Sequence, residues 1–377
     1  MKESPVQSTV GTQSVNLISA TAPRKSFLAR FQSWEWMLVA LIVIAVVVNT
    51  RLTPYFLNAQ NLSRTSADFM ELGLMMLPMV FIIITGNIDL SVASNLGMCA
   101  SFMAVLWNLH VNIWIAAAAA LVLGTLGGLL NGFLIARVKL PALVATLGTY
   151  AFFRGVAYVL LGDQAGRGYP PAFTYLGQGQ LFGTLIPFSV GLFAVLALIF
   201  GLVLHRTTFG RYLFTIGNNE NASIYAGIPA ARIKMIIYTL SGFMSALAGL
   251  VLAARFGSTR PDIGTGLELT VITAAVLGGV DINGGIGTML GAVLSLVLIG
   301  LIRFGMGLKN VQDQVQIIAI GSLLIFSILI ASVARTISAG GVKLTRRTVA
   351  VAFVLIIIFA VFFFYFYWSR APVLASV

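Results

Sequence analysis

The 377-residue chain has one cysteine, Cys99, so no intrachain disulfide can form. Cys99 lies in an apolar run and reads as a small core residue. Charge is scarce too, at 9% of residues, and histidine occurs only at positions 110 and 205. No cluster of His, Cys and carboxylate offers a metal site, and both histidines stand at the ends of apolar runs, where they read as solvated structural groups. No Gly is followed by Lys anywhere, which removes the P-loop that cradles ATP phosphates. These absences speak against an enzyme and call for no cofactor; any ATP used would be hydrolysed on another subunit.

Apolar sequence dominates instead. With 59% hydrophobic residues and a mean hydropathy of +0.98, the chain reads as an all-α integral membrane protein. The net charge of +12 comes from Lys and Arg dispersed over loop ends without stacking aromatics. Retention of positive loops in the cytoplasm and contact with anionic lipid of the bilayer account for it, and no nucleic acid is expected.

About ten core transmembrane helices are expected. Met1 to Ser33 is polar, carries Arg24, Lys25 and Arg30, and reads as an uncleaved, disordered cytoplasmic tail. Spans are predicted over 34–48, 69–85, up to Trp107, 113–136, 141–161, 185–204, 235–254, 288–303 and 315–333, with a short piece, 269–278, that cannot cross alone. A basic linker at 336–347 precedes an additional span, 348–368, and a short external tail, 369–377. Most Lys and Arg then fall on one side, which puts the N-terminus in the cytoplasm.

Between the sixth and seventh spans lies a polar island, His205 to Lys234, bracketed by Arg206 and Arg211 at one end and Arg232 and Lys234 at the other. Its basic ends place it in the cytoplasm. It is expected to hold one short helix, Ser223 to Ile228, capped by Asn219 or Asn221.

Polar residues inside the apolar runs are the candidate pathway. Asp89, in Gly86-Asn87-Ile88-Asp89-Leu90-Ser91, must have a partner, because a carboxylate at membrane depth costs about 2.5–3.5 kcal/mol on insertion. It reads either as the N-cap of the next span or, with Ser91 and Asn95 four residues apart on one helix face, as the lining of a polar path. Asn131 is an interhelical donor or a pathway residue, Thr146 lies on a polar face of the fifth span, and Arg154 either snorkels outward or meets substrate. Gly124, Gly128 and Gly132, and again Ser241, Ser245 and Gly249, recur every four residues and predict close helix packing. The later tract Gly278 to Gly287, containing Asp281, echoes Gly86 to Ser91, and each follows an apolar run with a carboxylate near its start, Glu71 or Glu268. This suggests an internal repeat with helices broken at Gly-rich turns near a midplane pathway.

Taken together, three blocks resemble the permease subunits of bacterial ABC-type sugar importers, the family that includes the ribose, arabinose, xylose, rhamnose and autoinducer-2 systems. They are Gly86 to Ser91 with Ser94; Thr208-Phe209-Gly210-Arg211 through Gly217, Asn218, Ala222 and Ala226-Gly227-Ile228; and Leu277-Gly278-Gly279 with Gly284, Gly285 and Gly287. Asn131-Gly132, Pro141 and Thr146-Leu147-Gly148-Thr149 fit as well, and the resemblance covers about 36–333. Asn87, Ala93, Ser223 and Asp281 depart from the family's usual residues. The tract Gly257 to Asp262 is similar to the rhamnose and autoinducer-2 permeases. The resemblance implies a multi-pass protein of the bacterial plasma (inner) membrane. It also implies a second permease subunit, identical or paralogous, an extracytoplasmic sugar-binding protein, and a cytoplasmic ABC ATPase docked on the island through Gly210, Arg211, Gly217, Asn218, Ala222, Ser223, Ala226, Gly227 and Ile228. Asp89, Ser91, Asn95, Asn131, Thr146, Glu268 and Asp281 remain the candidates for pathway or gate. The rival readings are a branched-chain amino-acid permease of the same superfamily and an ion-coupled secondary sugar transporter using Asp89 and Asp281.

Overall fold

The computed structural model describes residues 33–322 and Ile325. The expected tail before Ser33, the end of the tenth span, the basic linker, the additional span 348–368 and the last nine residues lie outside the described residues.

Among the described residues, regular structure is helical apart from one pair of two-residue strands and an isolated bridge between Gln180 and Pro187. In order it runs α1 (Ser33–Leu52), α2 (Ala59–Ala67), α3 (Met70–Ile84), α4 (Val92–Asn108), α5 (Ile113–Ala136), α6 (Ala142–Leu161), β1 (Gly166–Arg167), α7 (Pro171–Gln178), α8 (Phe188–Arg206), α9 (Thr208–Asn218), α10 (Glu220–Tyr225), α11 (Ala230–Phe256), β2 (Ser258–Thr259), α12 (Leu267–Leu277) and α13 (Met289–Leu308). Residues 313–322 begin one more helix. Among the described residues, six helices are long and apolar enough to cross a membrane, and seven if α2 and α3, bent by 49°, form one span. The shorter apolar helices α4 and α12 complete an all-α membrane architecture.

Every residue of α3 is buried, which makes it the central post. A helix apolar on all sides suits lipid and protein surroundings alike, and here α8, α11, α12 and α13 surround it. The most extensively packed helix pair is α5 with α11. A Cβ on Gly242 would lie 2.6 Å from Gly128 Cα, and one on Gly124 2.6 Å from Ala246 Cβ, so the expected glycine strip of α5 does let two backbones meet. The strip on α11 serves a different neighbour: a Cβ on Gly249 would lie 2.8 Å from Leu96 O of α4.

Three expectations need correction. First, the island holds two helices, not one. α9 is amphipathic, burying Gly210, Leu213 and Ile216, and is capped by Thr207, whose side chain accepts from Gly210 N at 3.3 Å. The second, α10, lies three residues earlier than expected, because Gly227 (φ +81°) reverses the chain and Ile228 N donates back to Ser223 O in a Schellman closure. Second, the segment from Arg255 to Glu268, expected as an external connection before the short piece 269–278, runs back along α4 instead. β2 pairs with β1 beside Ala104 on α4, whereas Ile263 O is close to Gly97, seven residues nearer the other end of α4. The chain thus descends about 10 Å along α4 before α12 starts, so α12 begins at depth. Third, the Gly-rich turns lie level with helix ends rather than at mid-depth: Trp34 Nε1 at the start of α1 donates to Leu277 O at 2.9 Å, and His205 near the end of α8 accepts from Met289 N at 3.3 Å.

Candidate functional site

The three sequence blocks meet at one joint. α3 ends in Gly86 (φ +73°) and α12 in Gly279 (φ +87°), each forced into the left-handed region that closes a helix. Each turn is then set by its aspartate: Asp89 Oδ1 accepts from Ser91 N at 2.9 Å, and Asp281 Oδ1 accepts from Asn283 N at 2.8 Å. The two turns bond to one another, Gly285 N donating to Ile84 O at 2.8 Å. The last turn of α9 sits on both. A side chain on Gly217 would collide with Ile84 O and Gly285 N, and one on Gly284 would lie 2.8 Å from Gly86 N and 3.0 Å from Gly217 O. Asn218, whose Nδ2 bonds Phe214 O at 2.9 Å, covers Gly285. Glycine is required at this joint because three backbones share it.

α10 stands on the outer side of α9. Asn219 caps it, accepting from Ala222 N at 3.0 Å, and buried Ser223 donates to Asn219 O at 2.8 Å. Lys234, in the first turns of α11, holds Glu220 at 2.7 Å, fixing α10 to the long helix. Arg211, Ala222, Ala226 and Gly227 face outward, and Ile228 is half-buried. Tyr225, 92% exposed, and Ile224, 53% exposed, are large apolar side chains on the surface of the island that the sequence reading did not single out.

Behind the joint lies a buried polar network. Ser91 Oγ donates to Asp89 Oδ1 at 2.7 Å, Ser241 Oγ of α11 to Asp89 Oδ2 at 3.0 Å, and Asn131 Nδ2 of α5 to Ser91 Oγ at 2.7 Å. Asp89 is therefore neither exposed nor the N-cap of α4, which is Ser91. Three donors meet its carboxylate, which makes its burial tolerable. Asn131 Oδ1 has no hydrogen-bond partner among the described residues. One turn deeper, Asn95 Nδ2 donates to Gly124 O at 3.2 Å and Gly242 O at 3.3 Å, locking the α5–α11 seam to α4.

The remaining candidates stand apart. Thr146 turns its hydroxyl to Ala142 O of its own helix at 2.8 Å. Glu268 is in the first turn of α12, one helix length (about 15 Å) from the joint, with Oε2 buried and unpartnered among the described residues. Arg154 neither snorkels nor faces an open path: it donates to Pro261 O (2.8 Å), Ile263 O (3.1 Å) and Ala93 O (3.2 Å). Irregular backbone at membrane depth leaves carbonyls without helical donors, and Arg154 supplies them for the descending segment.

At the end opposite the island, a cavity of about 610 Å³ opens between α3, α11, α12 and α13. Arg255 binds Glu71 at 2.8 Å and Asp68 at 2.7 Å on its wall, with Arg303 and Asp313 also lining it. The sequence signal for this ion pair was Glu71 itself, a carboxylate opening an otherwise apolar helix, which demands a cation.

A multi-span helical body, paired short helices broken at touching glycine turns, and a polar helical island seated on those turns define a membrane permease rather than an enzyme. The family model described as the permease component of the branched-chain amino acid transport system matches residues 61–333. The chain belongs to this permease family, and it is of the ABC sugar-importer type that its motif blocks resemble. Among curated proteins, the autoinducer 2 import system permease protein LsrD of Photorhabdus laumondii is 37% identical over 311 residues, covering 81% of this chain and 92% of that protein. The LsrD proteins of Klebsiella pneumoniae (36% over 303 residues, 79% and 91%) and Escherichia coli K12 (36% over 306 residues, 80% and 92%) are similarly close. No solved structure matches the chain. A multi-pass protein of the inner membrane is the consequence.

Proposed function

We propose that the chain pairs with a second permease subunit and carries a monosaccharide or sugar-like molecule into the cytoplasm, driven by ATP hydrolysis on a separate ATPase that docks on α9 and α10. An extracytoplasmic binding protein delivers the ligand to the charged mouth at the opposite end. The autoinducer-2 or rhamnose type of ligand is favoured: the names of the LsrD relatives support the first, and the tract Gly257 to Asp262 fits both. The cytoplasmic placement of the island and of the N-terminus rests on its flanking Arg and Lys residues.

The observation that carries the coupling reading is Gly217 wedged between Ile84 O and the Gly285 amide. A push on the outward face of the island, at Arg211 of α9, at Ala222, Ile224 and Tyr225 of α10 or at Ala226, Gly227 and Ile228 just after it, passes through Gly210, Gly217, Asn218 and Ser223. It reaches the ends of α3 and α12 without a flexible side chain between them. Because α3 is central and α12 starts at depth, a tilt at the joint alters the level of Glu268 and the mouth together, which is how access would alternate. Asp89, Ser91, Asn95, Asn131, Thr146 and Asp281 would then set the rigidity of the route, and Glu268 would meet the passing ligand.

The test is uptake of labelled autoinducer 2 and rhamnose in cells carrying the whole operon, with Tyr225→Ala, Gly217→Val and an ATPase-dead partner. Loss of uptake in all three, with the permease still in the membrane, supports the reading. Uptake that persists without ATP hydrolysis overturns it and returns Asp89 and Asp281 to the role of ion-coupling carboxylates.

A further inference from the structure

Beside the glycine seam, α5 and α11 leave a trough of about 500 Å³ on the lipid-facing surface. Close approach of the two backbones at Gly128 and Gly242 makes the trough, since side chains flanking a seam of glycines must splay. Its walls are apolar: Leu129, Ile236 and Phe243 supply hydrocarbon, and Thr125 and Thr239 turn their hydroxyls to Leu121 O and Met235 O, presenting methyl groups outward. From Thr125 to Arg137 is twelve residues of helix, about 18 Å, close to the depth of one leaflet.

The end of the trough is cationic. Arg137, at the C-cap of α5, and Arg232, in the first turn of α11, both line it and both are exposed. Neither forms an ion pair among the described residues, whereas Lys234, two residues along, is already taken by Glu220. Lys139 adds a third positive charge two residues beyond Arg137. An apolar channel one leaflet deep that ends in two unpaired guanidinium groups fits an acyl chain below and a phosphate above. We infer that this trough is a specific site for an anionic phospholipid, with Arg137 and Arg232 holding the headgroup phosphate and one acyl chain lying along Leu129, Ile236 and Phe243. The site needs neither the direction of transport nor the identity of the transported ligand.

Occupancy would bear on transport, because Arg232 opens the helix whose Lys234 anchors α10 and whose Ser241 holds Asp89. A lipid phosphate joining α5 to α11 at this level stiffens the support of the joint.

The experiment is native mass spectrometry of the purified full-length permease after exchange into mixed micelles of phosphatidylglycerol and phosphatidylcholine. Retention of phosphatidylglycerol over phosphatidylcholine is expected, falling about thirtyfold in Arg137→Gln/Arg232→Gln. It should be largely kept in Arg137→Lys/Arg232→Lys, and unchanged in Arg260→Gln, which removes one charge at a 74%-exposed side chain away from the trough. Equal retention of both lipids by the wild type, or an equal loss in Arg260→Gln, overturns the site. So does an Ile236→Cys disulfide between two copies in native membranes, which would seat a second permease in the trough instead; buried Cys99 does not compete in that cross-link.

Discussion

Ser241 Oγ, in the middle of α11, donates to Asp89 Oδ2 at 3.0 Å across 152 residues of chain. This bond and the Asn131–Ser91 bond gather α4, α5 and α11 around one carboxylate. Ser241→Ala leaves one oxygen of a buried carboxylate short of a donor, and a stability loss of about 1.5–3 kcal/mol is expected. Thermal unfolding of the purified permease in detergent measures it. Ser241→Thr, which keeps the hydroxyl, should recover most of the loss; a Ser241→Ala melting point equal to wild type would show that Asp89 does not depend on this donor.

Arg255 and Glu71 make a second test of burial. Glu71 is 2% exposed and Arg255 is its partner at 2.8 Å. Arg255→Met strands a buried carboxylate and should cost about 3–5 kcal/mol, whereas Arg255→Met/Glu71→Met, with no charge left to strand, should cost distinctly less. The double-mutant cycle, read by thermal unfolding, fails the prediction if the double variant is as unstable as the single.

The seam between α5 and α11 tolerates no added carbon. A Cβ on Gly128 would sit 2.8 Å from Gly242 Cα, closer than a Cβ comes to a non-bonded carbon. Gly128→Val should therefore separate the helices and yield protein that aggregates on size-exclusion chromatography. Gly148→Val, at a glycine with open space around it, should elute as wild type.

How much of this was legible beforehand follows from what each signal measures. Apolar run length gave α5 and α6 nearly to the residue, because a span is a matter of hydropathy alone. α9 was not legible as a helix: Gly210, Gly217 and Asn218 look like loop residues, and only contact with Leu204, Ile84 and Gly285 shows why glycine is needed in a helix there. The likeness of Gly86–Ser91 to Gly278–Gly287 was visible as sequence, but their mutual contact is a tertiary fact that no local pattern carries. Asp89 announced that it must have a partner; that the partner would be Ser241 could not be read, since a serine every four residues in an apolar helix signals packing equally well.

Arg154 was read as a cation reaching for water or substrate, and its position argues otherwise. It lies twelve residues into α6, about 18 Å from that helix's start, where a guanidinium is costly unless its donors are used. The chain beside it, from Arg260 to Gly266, is a run of non-helical turns that buries Pro261 and Ile263, whose carbonyls accept from no backbone donor. Each need answers the other: Arg154 donates to Pro261 O, Ile263 O and Ala93 O. Arg154→Met should release the descending segment while leaving the α5–α11 seam intact, so hydrogen exchange over 258–268 should rise by at least about tenfold, the equivalent of losing one such bond to a charged donor. Arg154→Lys, whose single ammonium cannot fork across carbonyls as a guanidinium does, should fall between the two. Unchanged exchange over 258–268 in Arg154→Met, with exchange rising instead across α6, would mean that the arginine serves its own helix and that the descent of the chain is held by packing of Gly264 on Leu96.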